Sequence, residues 1–469
     1  MDYQTDIVVL SDIPKELDGD IEVVVGLPSK NPWSLPFGHK RVFSERENDY
    51  ELFIYSEDDV LITQKNIDAF LKVTKILPEN EIAGFMRFEV DPTGMKYYST
   101  IHSHFHWLPN SVKSFGEFTF ARFTNDHSGC YILTKIQLKK ALSCNRFHLG
   151  PRYGYYGMPE TAATDIYTQC KLKKVICISH LDDFMLPHMP NKYIGEIGIS
   201  KSEVELQIAA LMEINKGILP AKQLFNPETN LTHPLWNKSF YELCQNEILE
   251  IIPEVVKKVL SVGCGWGATE YGIIQKGMEV VGIPLDSVIG ACAKAKGVRI
   301  TYPDFSVARN GLGEEKFDCL LFSGILHHLP DPLAVLSLFS ELLKSNGYVV
   351  ISAPNFNHIS VWAKRFFGDP IFRDFKYIGD FKKSRLHLST HKTVSNWMKQ
   401  SGIEPIDFIK SELHLTTTRR EEKWFLHGGL KYISKIRASF TRHALVTRIF
   451  LPLINSTFGS KIVLLGRKI

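Results

Sequence analysis

The stretch Val259–Glu270, VLSVGCGWGATE, decides the fold of the C-terminal half of this chain. Its first residues are apolar, which predicts a buried strand. Gly263, Gly265 and Gly267 then predict a tight turn, because glycine allows backbone conformations and close approaches that other residues do not. A helical segment and a second strand, Met278–Ile283, follow. A strand–glycine turn–helix–strand unit presents the free N–H groups of the helix N-terminus to the polar part of a ligand.

Further motifs follow this unit in a fixed order. They are TYPDF around Asp304, the strand FDCLLFSG at 317–324, and ILHHLPDPLAVLSLFSELLKSNG before the next strand. Together these motifs resemble class I S-adenosylmethionine (SAM) methyltransferases. The resemblance implies a seven-stranded sheet and SAM as cofactor. A nicotinamide-binding Rossmann domain is the rival that the glycine pattern alone leaves open.

The resemblance also implies where the cofactor binds. Two positions depart from the family: Ser261 stands where an acid commonly lies near the methionine end of SAM, and Pro284 stands where an acid accepts from the ribose. Asp286 has two interpretations, a substitute for the ribose acid on the same strand face or the N-cap of the next helix. The implied cofactor-binding residues are Ser261, Gly263, Gly265, Gly267, Asp286, Asp304 and Phe305.

A methyl transfer to a hydroxyl needs a general base. His327 and His328 lie where the fourth strand gives way to a helix, so each is a candidate. The alternative is that LHHLPDP is a helix-entry loop, with Asp331 as the cap and Pro332 in the first turn.

The N-terminal part predicts a second α/β domain. DIVVL at 6–10 and IEVVV at 21–25 predict buried parallel strands, and Tyr50–Tyr55 predicts a strand that runs into Glu57-Asp58-Asp59. Adjacent carboxylates repel each other unless a cation shares them. The alternative is an acidic loop that caps a helix beginning near Thr63.

This region, residues 1–195, resembles GT-A glycosyltransferase domains. The unit that usually precedes the DIVVL strand is not found before it, so a lost first strand is expected. The resemblance implies Mn²⁺ or Mg²⁺ with a nucleotide-sugar as a second ligand set, and an acceptor base. The implied residues are Glu57, Asp58, Asp59 and His188 for the metal, and Glu160 or Asp165 for the base.

Composition sets broader limits. A chain of 469 residues is too long to fold around a single hydrophobic core, which predicts two or three domains. A net charge of +4 is too small to indicate nucleic-acid binding. The eight cysteines are scattered without a CxxC pair, which favours reduced thiols and a cytoplasmic protein. No apolar run reaches the roughly 18 residues of a membrane span, and no secretory signal is expected.

The alternating histidines and the basic C-terminal tail each allow two interpretations. His102, His104 and His106 alternate, which suits either a metal-binding strand face or a half-exposed strand. The basic tail at 418–450 suits an amphipathic helix on an anionic membrane surface or a helix packed on its own domain.

We therefore predict two tandem Rossmann-like α/β domains. They are a GT-A-like domain at 1–195, a helical linker at 196–235, and a methyltransferase domain with a basic extension at 236–469. The predicted function is SAM-dependent O-methylation of a sugar, glycan or glycolipid, coupled to a domain that transfers or binds sugar. The alternative is a non-catalytic scaffold of two degenerate domains that binds a glycan or a partner enzyme.

Overall fold

A computed structural model of the chain describes residues 3–194, 198–358, 373–411 and 461–469. The chain divides into two compact units, Met1–Ile218 and Leu219–Ile469. The segment predicted as a linker, 196–235, is split between them, with its helix in the first unit and its proline-rich part in the second. No helix in the described ranges has the length and apolar character that crossing a membrane requires. All eight cysteines are free.

The N-terminal unit is built from short elements. Its strands are β1 Ile7–Ser11, β2 Ile21–Val25, β3 Leu52–Ser56, β4 Glu81–Ala83, β5 Met86–Val90, β6 Lys96–Tyr98, β7 Trp107–Phe115, β8 Phe118–Phe123, β9 Cys130–Thr134, β10 Lys173–Cys177, β11 Met185–Pro187 and β12 Ile199–Ser200. Its helices are α1 Gly38–Glu45, α2 Gln64–Thr74, α3 Lys135–Leu142, α4 Met158–Thr168 and α5 Lys201–Asn215.

The single Rossmann-like sheet expected for this unit is not confirmed. Hydrogen bonding among the described strands forms four small sheets, β1-β2, β3-β9, β4-β10-β8-β7 and β11-β5-β6-β12. Strands β1 and β2 are parallel, as predicted. They are only half-buried, because within the described sheets they pair with each other alone.

Strand β3 positions the acidic stretch of this unit. It pairs antiparallel with β9, and Phe53 and Tyr55 on its inner face join a core that includes Phe70 and Ile132. Helix α2 begins after Thr63, whose side chain accepts from the backbone N–H of Asn66. The helix therefore begins where the sequence predicts, but Thr63 caps it and the acidic loop does not.

The C-terminal unit contains one large sheet. Its strands are β13 Lys258–Cys264, β14 Glu279–Pro284, β15 Arg299–Ile300, β16 Phe317–Ser323, β17 Leu343–Pro354, β18 Ile403–Ser411 and β19 Lys461–Lys468. Its helices are α6 Asn246–Ile251, α7 Ala268–Gln275, α8 Ile289–Ala295, α9 Phe305–Leu312, α10 Pro332–Ser340, α11 Phe381–Ser384 and α12 His391–Gln400.

The strand order is β15-β14-β13-β16-β17-β19-β18. All pairs are parallel except those of β19, which runs antiparallel to β17 and β18. This is the seven-stranded sheet that the class I methyltransferase resemblance implies. Val259, Leu260 and Val262 are fully buried in β13, and the glycine turn follows at the carboxyl edge of the central strands, where such sheets bind ligands.

One predicted helix is wrong. The sequence predicts a helix over Asn237–Leu249, but only α6, Asn246–Ile251, forms. The reason is tertiary: the Phe240 carbonyl accepts the backbone N–H of Trp266, and the Glu242 carbonyl accepts the Trp266 indole N–H. The basic tail at 418–450 lies outside the described residues.

Candidate functional site

The glycine turn is held in a conformation that needs glycine. Gly263 and Gly267 have φ of +82° and +85°, and Gly267 caps helix α7. A Cβ on Gly265 would lie 2.2 Å from the Phe240 carbonyl oxygen. In this structure the missing side chain of Gly265 therefore makes room for the chain's own backbone, whereas the sequence reasoning assigned that space to the cofactor.

A small cavity lies against this turn. It is lined by residues 263–270 together with Phe240, Glu242 and Ser323, and it is partly open to solvent. The glycine turn and the first turn of α7 therefore face a site that a ligand can reach.

Two carboxylates face this cavity. Glu270, in the first turn of α7, accepts a hydrogen bond from Ser261 Oγ at 2.7 Å, and both residues are buried. Glu242 accepts from Lys238 Nζ at 2.5 Å and from Gln245 Nε2 at 2.7 Å. Burial raises the pKa of Glu270. Neither glutamate was predicted from the sequence, because the partner of Glu270 lies nine residues away on the preceding strand and Glu242 lies in the wrongly predicted helix.

The end of β14 carries no acid that points to a ribose. Pro284 ends the strand, and Asp286 Oδ1 accepts the N–H groups of Val288 and Ile289 at 2.8 and 2.7 Å. Asp286 is only 1% exposed, and burial raises its pKa to about 7. Asp286 therefore binds backbone N–H groups at the entry to α8, as the helix-cap interpretation expects, although the N-cap residue itself is Val288.

A strap covers this end of β14. We use the term for Leu219–Phe225. Leu224 N–H donates to Leu285 O at 2.8 Å, Ser287 N–H donates to Lys222 O at 3.0 Å, and Ser287 Oγ donates to Pro220 O at 2.7 Å. The strap continues to Phe225, whose ring centroid lies 6.2 Å from that of His328.

The described residues fit SAM at one end. The glycine turn, the α7 N-terminus and the two carboxylates form a cavity suited to the zwitterionic methionine end. The nucleoside end would have to lie beyond Pro284, where the strap is hydrogen-bonded. Asp304 caps α9 by accepting from Val307 N–H at 3.0 Å, and Phe305 packs edge-on against Phe339; their role toward adenine stays a prediction.

His327 and His328, the two candidate bases, lie side by side a few residues after the end of β16. Their ring centroids are 4.2 Å apart, and each residue is 5% exposed. Burial lowers the pKa of His327 well below its usual range and that of His328 to about 3. His327 Nδ1 has no hydrogen-bond partner in the described part of the chain. Asp331 caps α10 and Pro332 begins it, as the helix-entry alternative predicts.

In the N-terminal unit, two of the three acidic residues after β3 lie beside a cationic side chain. Glu57 lies 3.5 Å from Arg87 Nη1 and 3.6 Å from His127 Nε2. Burial raises the pKa of Glu57 to about 7 and lowers that of His127 well below its usual range. Asp58 is exposed.

Asp59 and His188 come together across 129 residues of chain. His188 Nε2 lies 3.2 Å from Asp59 Oδ2, His188 Nδ1 lies 2.5 Å from Glu89 Oε1, and Lys192 Nζ lies 3.4 Å from Asp59 Oδ2. Within the described ranges, no group of three or more His, Cys, Asp or Glu side chains is arranged to hold a metal ion. The predicted metal site of Glu57, Asp58, Asp59 and His188 is therefore not found among the described residues, where Arg87 lies beside Glu57 and Lys192 beside Asp59.

The two candidate acceptor bases differ. Asp165 is fully buried and forms ion pairs with Lys40 and Arg152, so it stabilises the fold and is closed to an acceptor. Glu160 is half-buried in the first turn of α4, and its charge contributes to the raised pKa of Glu57. Glu160 therefore lies near the acidic stretch, and its role as a base stays a prediction.

The alternating histidines are not on a strand. His102, His104 and His106 lie in the loop before β7, which begins at Trp107. Burial lowers the pKa values of His102 and His106 to about 4. Both interpretations that placed them on one strand face are wrong.

Comparisons with known proteins place the C-terminal unit. Residues 235–407 match the family model described as a methyltransferase domain. The chain is 36% identical over 117 residues to ubiquinone biosynthesis O-methyltransferase of Histophilus somni, covering 23% of this chain and 48% of that protein. It is 28% identical over 154 residues to the Ruegeria sp. protein of the same name, covering 32% and 61%. The chain thus spans about half the length of the curated relatives it matches.

Solved structures were also compared. A SAM-dependent methyltransferase from Methanosarcina mazei matches with 15% identity and a TM-score of 0.32, covering 49% of this chain and 99% of that one. One from Thermotoga maritima, described as a possible histamine N-methyltransferase, matches with 14% identity and a TM-score of 0.30, covering 48% and 87%.

Proposed function

We propose that the C-terminal unit, which carries a class I SAM-dependent methyltransferase domain, methylates a hydroxyl oxygen of its acceptor. The observation that carries this proposal is the cavity between the glycine turn of β13 and Glu242. It lies at the carboxyl edge of a sheet with the expected strand order. The O-methyltransferase names of the relatives support oxygen as the accepting atom.

The residues of this chain have separate tasks in that reaction. Backbone N–H groups at the start of α7 bind the carboxylate at the methionine end. SAM, when bound, supplies a methyl group on a positively charged sulfur. His327 is the candidate base, because a neutral imidazole with a free Nδ1 can take the hydroxyl proton. Its burial means that an acceptor has to open a path to it.

Binding measurements test the proposal on the full chain. We expect S-adenosylhomocysteine, the demethylated product, to raise the melting temperature, since a ligand at 100-fold over its Kd stabilises the folded state by about 2.7 kcal/mol. NAD should leave it unchanged. A response to NAD alone would reassign the domain to nicotinamide chemistry. A response to neither ligand would favour the non-catalytic scaffold.

The acceptor is a second part of the proposal. The N-terminal unit gathers Glu57, Asp59, Arg87 and Glu160 in one place, and Glu57 and Asp59 side chains are about a quarter exposed. Partly exposed carboxylates suit sugar hydroxyls as hydrogen-bond partners, and the buried Arg87 guanidinium lies beside one of them. We therefore propose a sugar, glycan or glycolipid acceptor held by this unit, with glycosyl transfer as a further candidate activity.

Methyl-transfer assays separate this acceptor class from the one that the relatives' names indicate. Radiolabelled SAM should label a glycolipid extract in preference to a polyprenyl catechol. Glu57→Gln should reduce that labelling while leaving the affinity for S-adenosylhomocysteine unchanged. Preferential labelling of the catechol would overturn the sugar proposal and leave the methyltransferase proposal intact.

A further inference from the structure

The C-terminal unit lacks a carboxylate on the strand beside its cavity. Position 261 is a serine, and its side chain is fully buried. The methionine end of SAM carries an ammonium group, which needs a negative partner when it leaves water. If the cavity binds this end, another residue has to supply the charge.

Glu270 is placed to do so. It lies in the first turn of α7 and lines the cavity. Only 4% of it is exposed. Ser261 Oγ donates to one carboxylate oxygen at 2.7 Å and fixes the position of the group. A buried carboxylate is costly unless it is paired, and a serine hydroxyl supplies a hydrogen bond but no positive charge.

Glu242 forms the opposite wall. Its side chain is 31% exposed, and the Lys238 side chain that binds it is 2% exposed. The field of both groups reaches Glu270, where Glu242 raises the pKa and Lys238 lowers it. Lys238 forms its ion pair with Glu242, whereas Glu270 has the Ser261 hydroxyl as its hydrogen-bond partner, so Glu270 is the carboxylate left to meet a ligand ammonium group.

We propose that Glu270, positioned by Ser261, binds the ammonium group of the methionine end of SAM, with Glu242 as the second carboxylate of this subsite. The proposal rests on the proposed function, because it assigns residues of the same site. Glu270 supplies from the helix the charge that an acid on β13 would otherwise supply. Ser261 acts through Glu270 and is a positioning residue.

Calorimetric titration with two ligands tests this assignment without measuring activity. S-adenosylhomocysteine carries the ammonium group, and 5′-methylthioadenosine lacks the amino-acid part. Glu270→Gln keeps the size and the hydrogen bond to Ser261 but removes the charge. It should weaken binding of S-adenosylhomocysteine by roughly 10- to 100-fold, the size of a lost charge-assisted hydrogen bond. Binding of 5′-methylthioadenosine should change less than about twofold.

A matched control and a rescue make the result specific. Glu279→Gln removes a carboxylate that pairs with Lys258 and Arg299, away from the cavity, and should affect neither ligand. Adding Ser261→Asp to Glu270→Gln returns a carboxylate to the strand and should recover part of the affinity for S-adenosylhomocysteine. If Glu270→Gln lowers the melting temperature strongly, Glu242→Gln on the more exposed wall provides the same comparison.

The outcomes separate the two proposals. Equal weakening of both ligands by Glu270→Gln, or no change with either, would overturn the subsite while leaving SAM binding in place. Wild-type protein that binds neither ligand would overturn the proposed function and this assignment together.

Discussion

Asp286 has two interpretations in the sequence, and the structure shows the hydrogen bonds of one of them. The sequence allows it to substitute for the missing ribose acid at Pro284 or to cap α8. In the structure its Oδ1 accepts two backbone N–H groups and the residue is 1% exposed. The carboxylate is therefore committed to the backbone, and a ribose that binds here has to be recognised by other groups.

The raised pKa of Asp286 predicts a pH dependence of stability. Its pKa is about 7 in the folded state against 3.8 in the unfolded chain. The folded state then binds more protons between these values, so the stabilising contribution is complete below pH 3.8 and is lost as the pH rises toward 7. Asn caps helices as well as Asp and carries no charge. We expect Asp286→Asn to raise the melting temperature at pH 8 and to have little effect near pH 4.

Thermal unfolding from pH 4 to pH 8 checks this. Asp304→Asn is the matched control, since Asp304 also caps a helix but is half-exposed. A lower melting temperature of Asp286→Asn at pH 8 would contradict this. It would show that the hydrogen bonds of the charged carboxylate stabilise the protein by more than burial of the charge destabilises it. Affinity for S-adenosylhomocysteine should be unchanged in Asp286→Asn, because its carboxylate bonds to the backbone.

Residue-level prediction succeeded where the cause is local. Gly263 and Gly267 have the positive φ values that the turn pattern indicates, and Asp331 caps α10 two residues after LHHL. It failed where the partner lies far along the chain. The pairing of Ser261 with Glu270, and that of Glu57 with Arg87, depends on which side chains the fold brings together, and neither follows from spacing.

At the scale of elements, the strap is the feature that could not be predicted from the sequence. A proline- and asparagine-rich stretch predicts a loop, and it does not predict that Leu224 and Lys222 hydrogen-bond to the residues after β14. The strap also precedes the part that matches the methyltransferase family model, which begins at residue 235. The failed helix at 237–249 has a similar origin, because contacts with Trp266 override the local helical pattern.

The strap predicts an affinity change. Ser287 Oγ donates to Pro220 O and accepts from Lys222 N–H, and each hydrogen bond contributes about 1 kcal/mol. Ser287→Ala should loosen the strap and raise the fraction of molecules open at the nucleoside end. Because affinity scales with the competent fraction, we expect S-adenosylhomocysteine to bind roughly 3- to 10-fold more tightly.

Hydrogen exchange of residues 219–225 should be faster in the same variant. Ser340→Ala is the control, since its hydroxyl bonds only to Leu336 O within α10. Faster exchange with weaker binding would mean that the strap forms part of the cofactor pocket and does not obstruct it.

At the scale of the whole molecule, the sequence predicts two α/β domains, and the chain has two compact units. The seven-stranded sheet was predictable because its motifs occur in order over one continuous stretch. The N-terminal sheets were not, since β4 pairs with β10 about 90 residues later and β3 with β9 about 75 residues later. Strands of two to nine residues carry too little pattern to specify such pairings.

Each unit has its own hydrophobic core, which predicts two unfolding transitions in calorimetry. One core gathers residues between Phe43 and Leu186, and another gathers residues between Ile248 and Leu465. S-adenosylhomocysteine at 100-fold over its Kd should shift only the transition of the C-terminal unit, by roughly 5–10 °C for a domain of this size. Phe70→Ala identifies the other transition, because removing a fully buried Phe costs about 3–5 kcal/mol. A single transition that shifts both with the ligand and with Phe70→Ala would show that the two units unfold as one cooperative body. In that case the ligand would stabilise the acidic residues around Glu57 as well as its own site.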